Sequence, residues 1–94
     1  MPTYASLVDV RTDFQNAQEL ASVWGDIRMD LDDQPADLQH TYAILGEYDF
    51  LVIMEAPDRD AAYQAGVALE RHGLDAQTME IIPTEELAQV VDDL

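Results

Sequence analysis

The residues best equipped for chemistry gather in one short stretch. His40 and Tyr42 stand two apart in LQHTYAIL, and Gly46, Tyr48 and Asp49 follow in GEYD, directly before the apolar run FLVIM. Strand residues two apart share a face, so His40 and Tyr42 form a candidate catalytic pair, an imidazole beside a phenol. A hairpin would bring Tyr4, Asp49 or Glu55 near them. Such a group suits acid–base chemistry of a cofactor-independent oxygenase or isomerase type. This comparison rests on fold-level analogy alone.

Gly46, Tyr48 and Asp49 form a candidate ligand-binding set. Tyrosine has a large apolar body with one hydroxyl, and aspartate accepts from a ligand's amino group. Each also has a plain structural reading. Gly46 is a turn residue, Tyr48 a packing residue, and Asp49 a loop tie that accepts from backbone N–H groups. His72 reads as a helix-end residue, favourable at the negative pole of the dipole. A strand histidine is more often structural than catalytic, so binding is favoured over catalysis.

Other chemistries lack their residues. There are no cysteines, which excludes disulfides, thiolate catalysis and cysteine-bound metal. Asp30, Asp32 and Asp33 imitate the start of a calcium loop, but its glycine and distal glutamate are missing. No phosphate cradle or serine triad is recognisable. Neither metal nor cofactor is expected.

The elements that must position these residues follow from pattern. TYASLVDV, residues 3 to 10, reads as a first strand. Thr12 with Gln15 makes a capping box, and Phe14, Ala17, Leu20, Ala21, Trp24, Ile27 and Leu31 continue as an amphipathic helix in which Gly25 allows a kink or early stop. DLDDQPAD, residues 30 to 37, reads as a solvated loop, with Pro35 barring helix continuation. Residues 38 to 45 form a second strand, Gly46 and Glu47 a tight hairpin turn with glycine at positive φ, and FLVIM a third strand. Asp58 caps a second helix, rich in alanine with Val67 and Leu69, that ends at His72 and Gly73. Residues 75 to 82 give a fourth strand, and Thr84 opens a short C-terminal helix.

The order βαββαβ with a terminal helix predicts an α+β, ferredoxin-like fold. It is a single domain over residues 1–94, a four-stranded antiparallel sheet with two helices on one face. Strand three carries apolar residues on both sides: Phe50, Val52 and Met54 one way, Leu51 and Ile53 the other. A sheet with one wet face would alternate. Its second face therefore needs a cover, and a homodimer packed sheet to sheet supplies one.

Charge sets the environment. Twenty acidic residues face four basic ones, all arginine, for a net charge of −16. Such self-repulsion works against the compact state in dilute buffer. Molar salt shortens the Debye length to about 3 Å and screens it. The acids are spread along the chain, as expected of a salt-accumulating halophile. Direct nucleic-acid binding is disfavoured, because no basic stripe exists to meet phosphates. No apolar run approaches a membrane span, and the N-terminus lacks a basic region, which points to the cytoplasm.

MPTYASLVDV, ILGEYD and VIMEAPD, in that order, resemble the GYD domain family of small stand-alone bacterial and archaeal proteins. Its name refers to the glycine, tyrosine and aspartate found here as Gly46, Tyr48 and Asp49. AAYQAGVALERHG and QTMEIIPTEEL extend the likeness over nearly the whole chain, while the loop before strand two looks long for the family. The resemblance implies a dimerising ferredoxin-like fold without an assigned activity. The glycine, tyrosine and aspartate opening an apolar strand are also similar, more distantly, to the effector domain of leucine-responsive transcription regulators, where this segment lies near an amino-acid-binding dimer interface. That likeness implies a small-molecule ligand for a regulatory module.

Overall fold

TYASLVDV finds a partner on each side and becomes an inner strand. The computed structural model describes residues 1–11 and 17–92. Its elements are β1 (Thr3–Val10), α1 (Ala17–Asp32), β2 (Asp37–Ala43), β3 (Phe50–Glu55), α2 (Arg59–Arg71), β4 (Leu74–Ile81) and α3 (Thr84–Asp92). The four strands lie in the order β2-β3-β1-β4, every neighbouring pair antiparallel. The expected α+β, ferredoxin-like βαββαβ fold with an added C-terminal helix is thus the observed one. Thr12, Phe14 and Gln15, with the capping box, fall outside the described residues.

The core lies between the sheet and α1 and α2. Tyr4 and Val8 of β1, Val52 and Met54 of β3 and Leu74 of β4 meet Trp24, Ile27 and Leu31 of α1. The alanines 61, 62, 65 and 68, with Leu69, complete it from α2. Small side chains on that face let the helix lie close to the sheet. Phe50 meets Trp24 edge to face, with ring centroids 5.1 Å apart. Phe50, Val52 and Met54 are therefore the set beneath the helices, a choice the alternation alone leaves open. Ser6 is the fully buried polar residue of the core, and its hydroxyl is satisfied by Thr78 at 2.7 Å.

Helix two ends as its residues dictate. The Asp58 carboxylate accepts from the Ala61 N–H at 2.9 Å, and Gly73 takes φ 81° just beyond the C-cap His72. His72 has a further role that helix polarity does not supply. Its Nε2 lies 2.6 Å from the Asp30 carboxylate and ties the end of α2 to α1.

Several sequence expectations change. Gly25 does not stop α1, which continues as one helix to Asp32. Leu31 is buried there, and its packing outweighs the weak helix preference of the aspartates around it. The acidic loop thereby shrinks to residues 33–36, and Asp37 opens β2. β2 also ends early, at Ala43, and carries a register irregularity. Leu38 pairs with Met54 but His40, not Gln39, pairs with the next residue, Ile53. Residues 44–49 connect β2 to β3, in place of a tight two-residue turn, and Gly46 does not take a positive φ. The Ile44 N–H donates to the Asp49 carbonyl at 2.8 Å, so a wider loop closes without a left-handed residue. β4 spans Leu74–Ile81, one residue earlier than expected.

Candidate functional site

Two surfaces bring chemically capable residues together, one on each side of the sheet. On the helix side, α2 and the edge strand β4 diverge and leave a cleft of about 460 Å³. This lies within the usual range for small-molecule sites. Tyr4 and Thr78 rise from the sheet, and Arg59, Tyr63, Gly66 and Val67 descend from α2. The helix residues recur at i, i+3 or i+4, and i+7, so Tyr63, Gly66, Val67 and Glu70 share one face. Gly66 keeps that face open. A Cβ at this position would sit 3.9 Å from Thr78 Oγ1, so anything longer would project into the cleft.

The cleft is apolar with a few polar groups. Ala62, Val67, Ala76 and the tyrosine rings supply its walls, while Arg59, Glu70, Thr78 and Glu80 supply polarity. The antiparallel run of α2 against β4 puts Arg59 and Glu80 towards one end and Glu70 towards the other. Among the described residues Arg59 makes no ion pair. Its guanidinium is available to an incoming anion, in contrast to Arg28 of α1, which donates to Thr41 Oγ1 at 3.0 Å.

The outer side holds the residues singled out by sequence. His40 and Tyr42 do share a face and stack, with ring centroids 6.0 Å apart and planes 26° from parallel. Both are exposed on the edge strand, and Tyr42 retains 52% of its surface. Neither borders the cleft. Tyr48 reaches across the same face, its hydroxyl donating to Gln77 Oε1 at 3.2 Å. Asp49 ties the 44–49 connection to β1: its carboxylate accepts from the Val10 N–H at 2.8 Å, and its own N–H donates to the Val8 carbonyl at 2.8 Å. Gly46 is exposed, and a Cβ there would make only ordinary contact with Ile44.

The pairing register thus gathers His40, Tyr42 and Tyr48 on the outer face and sends Tyr4 to the other side. Between the two aromatic edges of that outer face lie Leu7, Leu51, Ile53 and Met79, adjacent across β3, β1 and β4. Sequence reasoning missed the cleft, although the α2 periodicity placing Tyr63 and Val67 beside Gly66 was available to it. Among the described residues no group of three or more histidine or acidic side chains stands close enough to hold a metal ion. None of the helices among them is long and apolar enough to cross a membrane.

Comparison with known proteins supports the fold and is silent on chemistry. The GYD domain family model matches residues 9–91. Among solved structures, SCO4226 from Streptomyces coelicolor A3(2) superposes with a TM-score of 0.60 over 85% of this chain and 96% of that one, at 15% identity. At that identity the likeness speaks for the fold alone. No curated protein is similar in sequence.

Proposed function

Since the chain belongs to the GYD domain family, whose fold carries no fixed chemistry, we propose that it is a homodimeric small-ligand binding or regulatory module. The carrying observation is the cleft between α2 and β4, apolar in its walls and provided with an arginine that makes no ion pair among the described residues. A cation facing apolar walls suits a small organic acid. The carboxylates of Glu70 and Glu80 disfavour a second negative charge and leave room for an amino group, so the ligand is a monoanion or zwitterion. The dimer is supported by the outer face, where Leu7, Leu51, Ile53 and Met79 lie side by side without a cover from the chain's own helices.

Catalysis by His40 and Tyr42 is the weaker reading, because their stacked pair stands on an open surface without enclosed volume for a substrate. In the proposed dimer this pair and the loop bearing Gly46, Tyr48 and Asp49 border the seam. A seam ligand would be contacted there.

A thermal-shift screen of amino acids and small aromatic and aliphatic acids, in molar potassium chloride, tests the cleft. A ligand that binds the folded state raises the melting temperature. Arg59→Ala should weaken such a ligand by about tenfold or more, the worth of a charge-assisted hydrogen bond. Gly66→Leu should abolish binding by filling the cleft. A ligand indifferent to Gly66→Leu but lost in Tyr48→Ala would move the site to the seam.

The acidic composition supports a halophilic setting. With 20 carboxylates against 4 arginines, melting temperature should rise steeply from dilute buffer to molar potassium chloride, where the Debye length falls to about 3 Å. A melting temperature indifferent to salt would sink this reading.

A further inference from the structure

The C-terminal helix has the chemistry of a packed element, yet the described residues give it no surface that buries it. α3 buries none of its residues. Leu87, Val90 and Val91 lie at i, i+3 and i+4 and form one apolar stripe, about half exposed, and the exposed Ile81 and Ile82 precede the helix in the chain. Glu85, Gln89 and Asp92 take the opposite side. A nine-residue helix is well below the roughly 12–15 residues at which an isolated helix becomes even marginal in water. Its stability must therefore come from a surface that its own chain does not supply.

The size of the missing contact can be read from the shape. The protein measures 51 × 31 × 16 Å with a radius of gyration of 14.6 Å, against about 12 Å for a compact chain of this length. Its accessible surface is 6477 Å², where about 5,400 Å² is usual for its size. The excess, about 1,000 Å², is close to the roughly 800 Å² that each partner buries in a standard stable interface. The same chain offers the counterpart: an apolar outer sheet face that also lacks a cover.

We propose that α3 is a clasp that crosses to a second copy of this chain, its Leu87–Val90–Val91 stripe closing against that copy's outer sheet face. A two-fold axis makes the exchange reciprocal, so each chain's unpartnered helix covers each chain's unpartnered face. The proposal rests on the dimer reading above and adds to it the element that holds the dimer together. An unrelated partner would have to meet a surface of net charge −16 and would have no reason to match both features. A second copy matches them by construction, and its like charge is screened in molar salt.

Sedimentation equilibrium in molar potassium chloride tests it, with the wild-type chain and the double variant Leu87→Asp, Val91→Asp. Both sites are exposed in the protomer, so the variant should keep its circular dichroism. The expected result is a wild-type dimer whose dissociation constant rises roughly 100-fold or more in the variant, as loss of two buried aliphatic side chains requires. A wild-type dimer with an unchanged constant in the variant overturns the clasp and leaves the dimer standing. A wild-type monomer overturns both.

A second measurement reports location. The chain has no cysteine, so Gln89→Cys, on the side of α3 away from the stripe, gives one nitroxide site, to be mixed with isotope-labelled wild-type chains. Broadening of Leu7, Leu51 and Ile53 amides in the isotope-labelled chains is the expected signature. Broadening only within the spin-labelled chain's own sheet, or none in the mixed dimer, overturns the clasp.

Discussion

The two faces of one sheet are composed of similar residues and meet different fates. Beneath the helices, Val8, Val52 and Leu74 are fully buried, and even the hydroxyl of Ser6 has its partner. Partial exposure of Ile53, Leu51 or Leu7 would be unremarkable on any surface, but together they form an apolar field with Met79 and Ile81, both about 40% exposed. The difference teaches that apolar composition decides only that a face must be covered. Chain connectivity decides which face is covered from within and which is left to a partner.

Truncation on each face breaks this comparison most directly. Ile27→Ala, beneath the sheet and fully buried, should cost about 2–5 kcal/mol in denaturant titrations at high salt, through lost transfer energy and the cavity left behind. Met79→Ala on the outer face should cost the isolated protomer less than about 1 kcal/mol, yet weaken self-association measured by sedimentation. Equal losses of protomer stability would show that the two faces do not differ in this way.

A smaller effect tests what ties the outer loop down. Asp49→Ala leaves the Val10 N–H without its protein acceptor and should cost about 1 kcal/mol, whereas Asp49→Asn keeps an acceptor oxygen and should recover most of it. Loss in both variants alike would assign the effect to charge. The smallest expected change has the opposite sign. Gly25 lies in α1 with open space where a Cβ would stand, so Gly25→Ala should raise stability by about 0.5–1 kcal/mol. Its melting curve is the check.

Much of the architecture was legible because it is written in short-range pattern. FLVIM declares a strand apolar on both sides, Asp58 and Gly73 bracket α2, and the element order leaves few topologies. What was misread required information from elsewhere in the chain. Leu31 fits the helical spacing of α1 and also lies in the acidic stretch 30–37, and only its place in the core with Trp24 and Ile27 decides for the helix. Gly46 looks like an obligatory left-handed turn until the long-range bonds of Asp49 to β1 show another way to close the connection. The His40–Tyr42 pair was legible as a pair, but its open surroundings were not. The cleft escaped notice because no local motif contains it. It arises where Gly66 and Ala62 from one element oppose Ala76 and Thr78 from another.

The irregularity between Leu38 and His40 acts as a phase shift in the side-chain alternation of β2. With regular alternation from the inward Leu38, His40 and Tyr42 would turn towards the helices and Thr41 away from Arg28. One uncounted residue, Gln39, reverses the parity of everything after it. Deleting that single residue would let His40 follow Leu38 in regular alternation with every side chain still on its present face, whereas pairing Gln39 with Ile53 would exchange what β2 shows to the outside and what it keeps.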